Sequence, residues 1–76
     1  GPAPAYVSID EEEVVRLIRK LKPEVSAEPT TMELTAYSHG VWTPATWRMS
    51  WADESTPFML ETEVDAVTGN LLYWQY

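Results

Sequence analysis

The chain has 76 residues, enough for one small domain and no second. It contains no cysteine, which excludes disulfides and thiolate metal sites, and its net charge of -7 excludes the basic surface that nucleic acid or an anionic membrane demands. No apolar run is long enough to span a bilayer and no signal peptide is recognisable, so membrane insertion by this segment is not expected.

Residues 1–5, rich in proline and alanine, read as a disordered leader, and Gly1-Pro2 resembles the remnant of a tag-cleaving protease site. A single domain is expected over residues 6–76. Its helix has two available starts: Ser8 with Glu11 forms one capping box, and Asp10 with Glu13 forms another that adds an Ile9 to Val14 staple. From either start Val14, Leu17, Ile18 and Leu21 make one apolar stripe, and Pro23 ends the helix. Acids crowd its first turn, whereas Arg16, Arg19, Lys20 and Lys22 fill its second half. Compensation of the helix dipole accounts for that order, although the same basic run would suit an acidic partner.

After a crossover over residues 24–30, Thr31 to Ser38 alternates as a half-buried strand with Met32, Leu34 and Ala36 on one side. Residues 39–44 break the alternation and predict a loop, with Gly40 turning the chain and Pro44 preventing early pairing. The next strand is expected from Ala45 to Ala52, placing Trp47, Met49 and Trp51 on one face and Thr46, Arg48 and Ser50 on the other. Asp53 to Pro57 form a turn.

The last stretch, Phe58 to Tyr76, predicts a β-hairpin. Val67-Thr68-Gly69 forms the loop with Gly69 at positive φ, and the Asp65 carboxylate folds back onto the turn amides. If Ala66 and Asn70 close that loop, Val64 faces Leu72, Thr62 faces Trp74 and Leu60 faces Tyr76, giving one apolar face. The expected fold is α+β: one N-terminal helix packed on a four-stranded antiparallel meander.

A sheet of this kind measures roughly 20 by 23 Å, but a helix is only about 10 to 12 Å across, so one helix leaves part of the face uncovered. Two arrangements follow for the row Trp47, Met49, Trp51, Trp74 and Tyr76. Part of it lies exposed and marks a partner surface, or sheet twist and the Val41-Trp42 loop close the gap and leave an ordinary core. The residues expected to form a binding surface are Trp42, Trp47, Trp51, Tyr37 and Arg48, around the Trp42 to Trp51 stretch.

The parts of an enzyme are scarce. With one histidine, no cysteine and no glycine-rich phosphate loop, neither a catalytic residue nor a cofactor is expected, and His39 reads as a polar loop residue. Glu61, Glu63 and Asp65, joined by Glu33, share the outer face of the sheet. Residues two apart on a strand lie about 7 Å apart, too far to converge on one cation, so no metal is expected and the row reads as a solvated face.

Val64-Asp65-Ala66-Val67-Thr68-Gly69-Asn70-Leu71, in a closing hairpin that follows a capped helix and antiparallel strands, resembles the PepSY family of peptidase propeptides and bacterial envelope domains. The helix-then-strands order matches from about Ser8 to Tyr76, and the specific match is those eight residues. The resemblance implies a non-catalytic, extracytoplasmic or secreted domain that binds or restrains a peptidase or another envelope protein. A carbohydrate-binding module is the alternative, with Trp42, Trp47 or Trp51 as a flat platform for a polysaccharide.

Overall fold

Asp10 decides where the helix begins. Its backbone is extended and its side chain accepts a hydrogen bond from Glu13 N at 2.9 Å, so the second of the two expected starts, with Asp10 as N-cap, sets the register. The computed structural model describes residues 7–38 and 41–76, with the side chains of 37, 38 and 41–44 left aside. Helix α1 spans Glu11–Leu21, and Lys22 N closes its last turn on Ile18 O at 2.9 Å before Pro23 stops it. Val14 and Ile18 are fully buried and Leu17 is half-buried. Leu21, the last member of the expected stripe, is instead 57% exposed.

Four strands follow: β1 (Thr31–Ser38), β2 (Val41–Trp51), β3 (Leu60–Asp65) and β4 (Leu71–Gln75). They pair antiparallel in the order β1-β2-β3-β4, which is the expected meander. β1 has the bounds that its alternation predicts. β2 starts earlier than expected, because Val41 and Trp42 already pair with Ser38 and Tyr37. Pro44 is tolerated there because it lies where the ladder shifts register, between the pairs Tyr37↔Trp42 and Thr35↔Thr46. His39 and Gly40 lie outside the described residues.

The closing hairpin combines two registers. Near the turn Asp65 N donates to Asn70 O at 2.8 Å and Val64 faces Leu71, whereas further out Glu63 faces Tyr73 and Thr62 faces Trp74. The expected pair of Val64 with Leu72 is therefore not formed, and Leu72 is the extra residue between the two registers. The turn chemistry and the sheet pattern each impose a register, and a bulge absorbs the difference. In the turn itself Asp65 Oδ1 accepts from Val67 N at 2.8 Å and Thr68 N at 3.1 Å, and Gly69 sits at φ 81°.

One core lies between α1 and the sheet. It joins Val14 and Ile18 to Trp47, Met49, Trp51, Leu60 and Val64, with Val25, Ala45 and Ala66 completing it. Burial of each large apolar side chain contributes roughly 1.5 to 3 kcal/mol. The segments flanking the helix widen its cover: Val7 and Ile9 pack on the core from one end, and Val25 bridges to Asp53 at the other. Ser8 N and Ile9 N both donate to Ala66 O at 2.9 Å, and Ala66 N donates to Ala45 O at 2.9 Å. The last turn thus holds the start of the helix.

Gly69→Val should destabilise the domain by about 1 to 3 kcal/mol, because a β-branched residue is strained at positive φ. A Cβ there would also stand 3.3 Å from Ile9 Cδ1. A thermal melt unchanged from wild type would contradict this account of the turn.

Candidate functional surface

The residues named from the sequence divide by face, with Trp47 and Trp51 on the helix side of the sheet. Trp47 is 4% exposed and Trp51 is fully buried, and both indoles are satisfied internally: Trp47 Nε1 donates to Ile9 O at 2.6 Å, and Trp51 Nε1 to Thr62 Oγ1 at 3.1 Å. Neither is presented to a ligand. The flanking Val7–Ile9 and Val25 segments extend the cover beyond the width of the helix alone. The side chains of Tyr37 and Trp42 lie outside the described residues. Among those that are described, the sugar platform therefore loses two of its three tryptophans.

Arg48 lies on the opposite face. The register sets Glu33, Arg48, Glu63 and Tyr73 in one row across all four strands. Arg48 Nε donates to Glu63 Oε1 at 2.7 Å and its Nη1 to Glu33 Oε1 at 3.3 Å. The Glu63 hydrogen bond is the main reason that the guanidinium's pKa rises above its ordinary value. Ser50 Oγ donates to Glu61 Oε2 at 2.6 Å in the neighbouring row. The expected solvated acidic face is thus only partly solvated, since Glu63 is 1% exposed and bonded to its cross-strand arginine. Among the described residues no group of three or more histidines or acids is placed to hold a metal ion.

A second polar cluster ties down the end of the chain. Asp53 Oδ1 accepts from Ser55 Oγ at 2.6 Å and Ser55 N at 2.8 Å, while Asp53 Oδ2 accepts from the Tyr76 phenol and lies 3.9 Å from Lys22 Nζ. Lys22 also pairs with Glu24 at 3.6 Å. The Ser55 hydroxyl and then the Tyr76 phenol, with help from Lys22, outweigh desolvation and lower the Asp53 pKa to about 2. The same contact with Asp53 raises the pKa of Tyr76.

Of the row Trp47, Met49, Trp51, Trp74 and Tyr76, only Tyr76 is exposed, with Trp74 half-buried, and other exposed apolar residues lie outside that row. Leu71, Leu72 and Tyr76 are 42%, 41% and 45% exposed along β4 and at its end, and Phe58 and Met59 are exposed just before β3. Because Glu61 pairs with Gln75, the start of β3 and the end of β4 lie at the same end of the sheet. β4 is an edge strand, and Leu71-Leu72-Tyr73-Trp74-Gln75 carries neither charge nor proline. The other edge, β1, carries Glu33, and Pro29 lies just before it. Charge and proline are the usual guards of an open edge, and β4 has neither.

Comparison with family models, with curated proteins and with solved structures finds no match to this chain. Among the described residues no helix is long and apolar enough to cross a membrane.

Glu63→Gln should cost about 1 to 3 kcal/mol by removing a charged partner from a buried hydrogen bond, while Glu61→Gln should stay within about 0.5 kcal/mol. Urea unfolding of the two variants tests the difference, and equal costs would contradict it. Asp53 adds a pH dependence. Its folded pKa is depressed, so its contribution is fully present above the ordinary carboxylate range, near pH 4, and is lost as pH falls toward about 2. Asp53→Asn should flatten the stability profile between about pH 4 and pH 2. An unchanged acid slope in that variant would remove Asp53 from the account.

Proposed function

We propose that this chain is a non-catalytic protein-binding module of an extracytoplasmic protein, one that docks on or restrains a peptidase or another envelope protein. The observation that carries this reading is β4: an uncharged sheet edge with exposed Leu71 and Leu72, ending at exposed Tyr76. Such edges bind extended segments through main-chain hydrogen bonds, with alternate side chains supplying selectivity. The resemblance of residues 64–71 to PepSY domains supplies the class of partner and the compartment. Those eight residues also have local work to do, since Val64 is in the core, Asp65 caps the turn, Ala66 anchors the helix start and Gly69 takes the positive φ.

The test is titration of the domain into an activity assay of the peptidase encoded beside it, with complex formation followed by size-exclusion chromatography. Stoichiometric inhibition, or a stable complex with a co-encoded envelope protein, is the expected result. No complex with any co-encoded protein would overturn the reading. A shift in tryptophan emission on adding cell-wall polysaccharide would turn it toward the carbohydrate alternative.

A further inference from the structure

We infer that β4 accepts, as a fifth strand of the sheet, an extended basic segment of a partner protein; this rests on the protein-binding reading and specifies its chemistry. Among the described residues β4 is paired on one side only, with β3, so its outer side presents backbone donors and acceptors for another strand. At about 3.4 Å per residue, its five residues offer an edge of roughly 17 Å. Beyond the bulge at Leu72, the stretch from Tyr73 to Gln75 pairs with β3 in continuous register. An added strand there would run beside half-buried Trp74 on the helix side and exposed Gln75 on the other. Apolar residues of the incoming segment would meet Trp74 and, at the end of the strand, Tyr76.

Charge selects the occupant. Residues 31–76 carry Glu33, Asp53, Glu54, Glu61, Glu63 and Asp65 against Arg48 as their only lysine or arginine, and Lys22, which reaches the end of β4 from the helix, is paired with Asp53 and Glu24. That arginine is already bonded to Glu63 and Glu33. Exposed Glu61 lies on β3 opposite Gln75 of β4, with its Oε2 accepting from Ser50 Oγ on β2, so it adds to the negative field beside β4 rather than forming a fixed ion pair there. A second copy of this chain fits poorly by the same measure, since each copy brings a net charge of -7. An acidic segment fits worse.

The probe is a capped octapeptide alternating valine and lysine, titrated into the isotope-labelled domain while amide shifts and amide exchange are followed by NMR. Shifts and slowed exchange concentrated in Leu71–Gln75 are expected. Affinity should fall at least tenfold when glutamate replaces the lysines, and severalfold in about 0.5 M salt, where exposed charges are strongly screened. Leu72→Lys and, independently, Gln75→Lys should each weaken binding at least fivefold while Glu33→Gln on the other edge has a smaller effect; using two exposed β4 positions guards against one variant misfolding. Shifts centred on α1 or β1, equal binding of the acidic peptide, or dimers by sedimentation that Leu72→Lys abolishes would each overturn the inference. Failure here is separable from failure of the wider reading. A peptidase inhibited equally by wild type and both β4 variants would keep the reading and remove strand addition. Peptide binding at β4 without any co-encoded protein partner would keep the strand site and remove the reading.

Discussion

The carbonyl of Ala66 is the fixed point of this fold. It accepts the amides of both Ser8 and Ile9, while the amide of Ala66 reaches across to Ala45 on β2. Trp47, two residues further along β2, donates its indole N–H to Ile9 O. The residues that launch the helix are therefore held on two sides by the sheet before the helix makes its first turn. That constraint sets where Asp10 caps, and so which residues of α1 face inward; with the start fixed, Val14 and Ile18 land on the core and Leu21 runs past it. Backbone hydrogen bonds of this kind are modest individually, about 1 kcal/mol net. Their weight here comes from orienting the one helix that closes the core.

The sheet keeps two different economies on its faces. Toward the helix, polar groups are few and satisfied inside the core, as Trp51 is by Thr62. Away from the helix, the chain's excess of acid is managed by position: Arg48 stands between Glu33 and Glu63, and Ser50 bonds Glu61. Glu63 is as buried as a core residue, which is tolerable only because a cation and hydrogen bonds meet it. These rows run toward β4 and end there in uncharged side chains, so the sheet's one unguarded margin adjoins its acidic face.

Much of this architecture could be read in advance because it rests on short-range rules. Alternation over Thr31–Ser38 and the Asp65 to Gly69 turn chemistry each needed only neighbouring residues, and the antiparallel meander followed from short connections. What was not legible depends on residues far apart. The bulge at Leu72 arises because the turn and the sheet demand registers that differ by one. The burial of Trp47 and Trp51 depends on Val7, Ile9 and Val25 packing beside the helix, which no local pattern announces. Glu63 looked identical to Glu61 in the alternation, and only the position of Arg48 across the ladder separates them. Pro44 marked a boundary by rule but sits at a register shift within β2. Trp47 and Trp51 are buried, whereas the exposed large apolar residues are Leu21, Phe58, Met59, Leu71, Leu72 and Tyr76, a set that no local pattern separates from the core.

The bond from Ile9 to Ala66 closes about three-quarters of the chain into one loop. Contacts of such long sequence separation form late, because the entropy of closing the loop is lost before the core's burial offsets it. Within this domain the helix precedes every strand it packs on, and its docking is complete only once the closing hairpin has formed. Until that hairpin forms, the apolar stripe of the helix lacks its full cover, and four carboxyl-bearing residues at its head, Asp10 to Glu13, favour solubility of the uncovered segment. The acidic cap that starts the helix in the finished protein thus also serves the chain before it has folded.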